Sequence, residues 1–251
     1  MKNFNVRILS NEPVAADVFR LTLDAPELAK TSRAGQFVQV KVSDEFTLRR
    51  PLGIASTAGG RVKIFYRVVG RGTEALTKKV GGDWLSALGA LGNGFANPSG
   101  KVLLVGGGMG LAPLLCAAEN FSADVLIGGR TKAEVLFWQD EFAPHVEKIF
   151  ITTDDGSYAK KGFAIDLLPE VLSAENYSAV YTCGPEIMMR GVAKLAMDNN
   201  LPCQVSFEKR MACGLGACLS CSIDTTDGRK KVCKDGPIFD AAKVFGGDDV
   251  G

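Results

Sequence analysis

The stretch from Glu208 to Cys233, EKRMACGLGACLSCSIDTTDGRKKVC, constrains this chain more than any other. It sets Cys213, Cys218 and Cys221 in C-x4-C-x2-C spacing, and Cys233 follows after eleven intervening residues. That is the plant-type ligand spacing of a [2Fe-2S] cluster, so Cys213, Cys218, Cys221 and Cys233 are read as metal-ligating thiolates. Gly214 and Gly216 let the backbone between the first two sulfurs turn tightly and aim its N–H groups at an anionic centre. Two other uses of these cysteines are weighed. A structural zinc site favours paired C-x2-C knuckles, and one such pair occurs here. Disulfides need an exporting context, which the sequence does not supply.

At 251 residues, 46% of them hydrophobic and 23% charged, the chain has material for two modest domains and a small appendage. Lys and Arg number 29 against 28 Asp and Glu, a net charge of +1 that draws the chain to neither nucleic acid nor an anionic membrane. The start, MKNFNVRILSNEP, interrupts its apolar residues as a strand does and lacks the continuous apolar core of a signal peptide. No apolar run approaches a membrane span. A cytoplasmic location is expected, where seven cysteines favour metal over cross-links.

From the N-terminus to about Asn97, short alternating runs (Phe4, Val6, Ile8; Val38, Val40, Val42; Val62, Ile64, Tyr66, Val68) predict an antiparallel barrel. Two segments stand out. Arg50, beside Pro51 at a strand end, can present a bidentate guanidinium to a diphosphate. Gly70 to Thr73 read as a glycine-relieved turn into a helix starting near Thr73, whose free N–H groups suit phosphate. A surface arginine and an ordinary helix cap account for the same letters.

The run GALGNGFANPSG, Gly89 to Gly100, reads as a domain boundary. Beyond it apolar strands alternate with helical patterns, which predicts a doubly wound parallel sheet. The strands are placed at Lys101 to Val105, Asp124 to Ile127, Lys148 to Thr152, Ala179 to Thr182 and Gln204 to Phe207. The helices are placed at Leu111 to Ala118, Lys132 to Phe142, Ala164 to Leu172 and Glu186 to Asn199. Such sheets bind ligands beyond the carboxyl ends of their strands, where Gly106 to Gly110 and Cys183-Gly184-Pro185 fall. Glycine there permits close approach to a pyrophosphate, or marks a tight turn alone. Cys183 also reads as a small buried hydrophobe. The second strand ends without an evident ribose-binding acid, and Arg130 would tolerate a 2′-phosphate, so NAD and NADP are both open. His145, the only histidine, is expected at the surface, and no acid–base catalytic residue is assigned.

Taken together, Arg50-Pro51, Tyr66-Arg67-Val68, Gly70 to Thr73, the Gly106 to Gly110 run and Cys183-Gly184-Pro185 resemble the ferredoxin–NADP reductase superfamily. With Asp155-Gly156-Ser157, the cysteine segment and Asp235-Gly236-Pro237, the chain up to about Phe245 is similar to one branch of it. That branch is the electron-transfer subunits of bacterial class 1B dihydroorotate dehydrogenases.

The resemblance implies FAD on the barrel, with Arg50 and Gly72-Thr73 at the diphosphate and Leu52, Tyr66, Arg67 and Val68 along the flavin. Leu52 stands where many members carry an aromatic ring, and Gly53 where a serine usually meets flavin N5. It also implies NAD(H) at Gly106, Gly107, Gly108 and Gly110, with Cys183 and Gly184 near the nicotinamide. The implied domains are 1–97 for FAD, 98–207 for NAD and 208–251 for the [2Fe-2S] cluster and a disordered tail from Gly246. The implied partner is an FMN-containing catalytic subunit that converts dihydroorotate to orotate in pyrimidine biosynthesis, two copies of each chain forming a heterotetramer. Met211, Leu215 and Leu219 are candidates for the contact with that partner or for packing around the cluster. Two other readings use the same letters: the FAD and iron–sulfur subunit of a ferredoxin:NADP transhydrogenase, and a non-enzymatic zinc scaffold.

Overall fold

The computed structural model describes residues 2–246, so of the tail expected to be disordered only Gly246 lies within it. The first layer is a six-stranded antiparallel sheet of β1 (Lys2–Ala15), β2 (Val18–Asp24), β3 (Phe37–Lys41), β4 (Arg50–Gly53), β5 (Arg61–Arg67) and β6 (Trp84–Leu91). Helices α1 (Pro26–Thr31) and α2 (Arg71–Thr77) complete it. The strand order is β4-β3-β6-β1-β2-β5, and the two edge strands approach each other so that the barrel nearly closes. Alternation drives the curling, with Val6, Ile8, Leu21, Leu23, Val38, Val40, Val62, Ile64, Leu85 and Ala87 all buried. Ala15 pairs with Val18 across a tight turn, where Asp17 takes φ +58°, a conformation Asp tolerates well.

The alternating runs expected from the sequence lie in β1, β3 and β5, except that Val42 and Val68 fall just past the ends of β3 and β5. Strands β2 and β6 did not stand out. In β6 the inward positions are Leu85, Ala87 and then Gly89, and the two small residues mute the signal. The strand runs to Leu91, inside the glycine-rich stretch read as a boundary.

The second layer alternates strand and helix. It contains β7 (Val102–Gly107), α3 (Leu111–Ala118), β8 (Ala123–Gly129), α4 (Lys132–Phe142), β9 (Ile149–Thr153), β10 (Lys160–Lys161), α5 (Ala164–Ala174), β11 (Ala179–Cys183), α6 (Glu186–Asp198) and β12 (Cys203–Ser206). Strands β7, β8 and β11 are apolar runs because helices cover both faces. The sheet is parallel from β10 through β9, β8, β7 and β11 to β12. Helices α3 and α4 fill the side facing the barrel, and α5 and α6 the other. No helix among the described residues is long and apolar enough to cross a membrane.

The last segment has its own hairpin, β13 (Ser222–Ile223) with β14 (Lys230–Lys231), then α7 (Val232–Asp235), β15 (Ile238–Asp240) and α8 (Ala241–Phe245). Strand β15 adds antiparallel to β12 and becomes the edge of the parallel sheet. The cysteine segment is thereby tied to the parallel sheet, and Asn93 after β6 bonds it to the barrel side through Ile238.

The two layers meet through aromatics and ions. The Phe65 ring of β5 lies 4.8 Å from Trp138 of α4. Nearby, Glu141 accepts from Lys63 (2.9 Å) and Arg20 (2.8 Å), both on barrel strands.

Candidate functional site

A cleft of 740 Å³ opens where the barrel, the parallel sheet and the last segment meet. That is ample for a cofactor, since small-molecule sites run from about 300 to 1,000 Å³. On the barrel side its wall is β4, with Arg50, Pro51, Leu52 and Gly53 all lining it. The Arg50 guanidinium bonds through Nη1 to the carbonyl of Leu48 at 2.7 Å and lies over the Phe46 ring. Its Nε and Nη2 edge lies on Gly72, so closely that a Cβ there would overlap Nε, Nη2 and Cζ. The two barrel segments singled out in the sequence are therefore one site, joined by an arginine that only glycine admits. Its neighbour Arg49 has a structural task, bridging strands through the carbonyls of Ser86 (2.9 Å) and Gln39 (3.2 Å).

Helix α2 starts at Arg71, two residues earlier than expected. Thr73 lines the cleft, and its hydroxyl accepts from the N–H of Val69 (3.0 Å) and donates to the carbonyl of Gly70 (3.0 Å). The threonine thus fixes the turn that carries Gly72. On β5, Tyr66 and Arg67 border the cleft, but the Tyr66 hydroxyl turns into the barrel to donate to Asn11 (3.0 Å), and burial pushes it up to about 12. Val68 packs against the core with its N–H on Asp17, and the exposed Val69 lines the cleft in its place. Gly53 faces Pro113 of α3, where a Cβ would rest at an ordinary 3.7 Å.

A second cleft, of 410 Å³, lies at the carboxyl ends of the parallel strands, and Arg67 lines both. The glycines divide their labour. Gly107 and Gly108 line the cleft, and Gly108, at φ +59°, has nothing within 4 Å of where a side chain would begin. Gly106, Gly110 and Gly184 are packing glycines. A Cβ on Gly106 would meet Leu111 and Leu114 at 2.7 Å, one on Gly110 the Cys183 backbone at 2.5 Å, and one on Gly184 the Gly107 carbonyl at 3.0 Å. Cys183 is fully buried, behind Ser206 and Glu208 of the larger cleft, and burial raises its thiol well above the ordinary range.

Sequence reading missed Glu134, Asp154, Phe163 and Ile187, which also line the second cleft. Phe163 and Ile187 are 60% and 82% exposed, an unusual state for large apolar side chains that nothing in a single sequence signals. The Arg130 guanidinium is committed to Glu134 (Nε to Oε1, 2.9 Å), and that bond holds the carboxyl below its usual range. Asp155-Gly156-Ser157 supports the fold, because Asp155 takes the Ser157 N–H (2.8 Å) and the Ser157 hydroxyl takes the Lys132 N–H (2.8 Å) at the start of α4. His145 is partly exposed and its Nε2 lies 3.8 Å from Glu119, outside both clefts.

The larger cleft's far wall is Ser206 to Met211, which leads directly into Cys213. The loop that follows takes left-handed backbone at Gly214 (φ +70°) and Gly216 (φ +81°), and the N–H of Leu215 donates to the Cys213 sulfur at 3.3 Å. Cys218 lies within reach of Cys213, and Cys233 lies beside Cys221 with Cys213 also near it. Among the described residues no three metal-binding side chains gather as a single ion requires. Four thiolates are the number a two-iron cluster takes, two on each iron. Cys116 and Cys203 are buried elsewhere, their thiols pushed up to about 12 by that burial. Of the three apolar residues expected at a contact surface, Leu215 and Leu219 are exposed, whereas Met211 turns inward to the cleft.

Comparison with known proteins bears on this geometry. Residues 208–245 match the family model described as the iron-sulfur cluster binding domain of dihydroorotate dehydrogenase B. The chain is similar to the dihydroorotate dehydrogenase B (NAD(+)) electron transfer subunit of Clostridium acetobutylicum, 40% identical over 82% of this chain and 84% of that one. It is likewise similar to that of Clostridium perfringens, 35% identical over 97% and 98%. Among solved structures, one of an NADH-dependent reduced ferredoxin-NADP oxidoreductase aligns with a TM-score of 0.85, 29% identity, and 95% and 89% coverage. A Neisseria gonorrhoeae ferredoxin NADP+ reductase with bound FAD and NADP has the same fold at a TM-score of 0.62 and 17% identity, covering 79% of this chain and 92% of that one. With identities of this size over nearly its whole length, the chain belongs to the family of dihydroorotate dehydrogenase B (NAD(+)) electron transfer subunits.

Proposed function

We propose that this chain carries electrons between NAD and a separate FMN-containing catalytic subunit that oxidises dihydroorotate to orotate in pyrimidine biosynthesis. One observation carries the reading. Arg67 lines both clefts, and the far wall of the larger one runs from Ser206 to Met211 into Cys213, so three sites stand in series. In this reading Arg50, Gly72 and Thr73 hold the FAD diphosphate, and Pro51, Leu52, Gly53, Tyr66 and Arg67 border the isoalloxazine. Gly107 and Gly108 receive the nicotinamide dinucleotide, Gly106 lets α3 pack on the strand end, Gly110 and Gly184 keep the two loops of that cleft in contact, and Cys183 backs it. Cys213, Cys218, Cys221 and Cys233 hold the [2Fe-2S] cluster. FAD, when bound, exchanges hydride with a nicotinamide and single electrons with an iron–sulfur centre.

The second cleft favours NAD over NADP. Glu134 and Asp154 line it, and Arg130 is already neutralised by Glu134, so a 2′-phosphate would meet carboxylates. The functional division is 1–97, 98–207 and 208–251, with β15 lending the last part an anchor in the second. The exposed Leu215 and Leu219, beside Cys218, are the proposed contact with the catalytic subunit, in a cytoplasmic assembly of two copies of each chain. The dimer count and the FMN follow the family resemblance.

Purified chain loaded with FAD and iron–sulfur, mixed with the FMN-containing subunit, should form NADH from dihydroorotate and NAD, which neither does alone. Association without NADH formation, or no association, would overturn the reading. The likeness to the NADH-dependent reduced ferredoxin-NADP oxidoreductase favours, in that event, a ferredoxin-linked partner.

A further inference from the structure

We propose that the Gln39 carboxamide donates a hydrogen bond to the sulfur of the iron–sulfur centre at Cys213 and thereby sets its reduction potential. The proposal rests on the cluster reading of the four cysteines given above.

Gln39 is a polar residue in the middle of barrel strand β3, fully excluded from solvent. Its neighbours Val38 and Val40 point into the barrel, so Gln39 and Phe37 face outward, toward the parallel sheet and the cysteine segment. Among the described residues neither its Nε2 nor its Oε1 has a hydrogen-bond partner. A buried amide left without partners is costly, and in folded proteins it is exceptional. The other such side-chain atoms are single hydroxyls, those of Ser43, Thr152 and Thr182; here a whole amide is unmet.

The amide lies against the cysteine loop. A Cβ on Gly214 would overlap Gln39 Nε2 and stand 2.9 Å from Cδ and Cγ. Gly214 follows Cys213 directly, and its φ of +70° is itself a glycine conformation. The loop thus packs its backbone at Gly214 against the Gln39 amide, one residue from a sulfur that takes one N–H from Leu215 at 3.3 Å. Across the ladder Gln39 pairs with Pro51 of the cleft wall, so the amide stands between the two redox sites.

Hydrogen bonds to cluster sulfurs are among the levers that set cluster potential. The reduced cluster carries one more negative charge, so a donor stabilises it and raises the potential. Gln39→Leu removes the donor at similar volume. It should keep iron and sulfide while shifting the one-electron equilibrium three- to tenfold toward the oxidised cluster. That is about 30–60 mV more negative, at 59 mV per tenfold, in a titration followed by electron paramagnetic resonance. If Gln39→Leu loses the cluster, Gln39→Asn, which withdraws the donor by one methylene, is titrated in its place.

A packing role alone predicts equal stability changes in cluster-free and cluster-bound protein. The donor role predicts destabilisation of the bound form only. An unchanged potential and spectrum would overturn the proposal. A wild-type protein without iron and sulfide would instead overturn the cluster reading.

Discussion

Gly72 lies inside helix α2, where alanine would be the better helix former by about 1 kcal/mol, so its presence needs a reason outside the helix. The Arg50 guanidinium supplies that reason, since it occupies the volume a Cβ would take. Gly72→Ala is therefore expected to displace the guanidinium and weaken FAD by about ten- to a hundredfold, the loss of one charge-assisted contact of about 1.5–3 kcal/mol. Arg50→Ala should cost about the same. Because the alanine acts through the arginine, the double variant should lose no more than Arg50→Ala alone. Titrating apoprotein with FAD measures all three, and full affinity in Gly72→Ala would separate the two residues. The sequence made both residues visible through Arg50-Pro51 and Gly70 to Thr73, yet their contact across 22 positions is a tertiary fact. The cysteines proposed as ligands stood out more readily, because their spacing is itself the plant-type cluster pattern. Glycine was hardest, since Gly108 opens a cleft and Gly110 closes a loop contact with the same letter.

Strand β15 belongs by position to the cysteine segment and by pairing to the parallel sheet. Asn93, in the connection after β6, secures that arrangement. Its amide donates to the Ile238 carbonyl (2.8 Å) and accepts from the Ile238 N–H (2.9 Å), and its own N–H reaches the Gly236 carbonyl (2.7 Å). Asn93→Ala leaves the side-chain partners at Ile238 unmet and should cost about 1–3 kcal/mol. The loss should be local: faster amide exchange at Ile238 and through α7, with barrel strands still protected. Unchanged exchange at Ile238 would remove Asn93 from this role. In the sequence this asparagine sits in GALGNGFANPSG, which reads only as a linker. Apart from the exposed two-residue β10, the strands and helices from Lys101 to Phe207 were legible because burial on both faces, or one stripe per helix turn, writes a continuous pattern. β15 has three residues and no period, and an edge added from a distant segment has no local signal.

At the scale of the whole molecule, the clefts exist only while the barrel and the parallel sheet keep their relative placement. Beyond aromatic packing, Glu141 of α4 fixes it by accepting from Arg20 and Lys63 of the barrel. Burial on its own would push this carboxyl up, but the bonds from Lys63 and Arg20 outweigh it and hold it below the usual carboxylate range. A carboxyl depressed in the folded state binds its proton more readily when unfolded, so it contributes stability above the unfolded value, near pH 4.3, and loses it as pH falls through the folded value. Glu141→Gln keeps the shape and removes the charge, and at neutral pH it should lower the urea midpoint by the equivalent of about 1–3 kcal/mol. The difference from wild type should narrow below about pH 4.3 and vanish once wild-type Glu141 is itself protonated. Trp138 is a built-in reporter, fully buried at this junction and 4.8 Å from Phe65, so its fluorescence follows the parting of the layers. A Glu141→Gln penalty that is the same at pH 7 and at pH 3 would mean that shape, not charge, holds the barrel on α4.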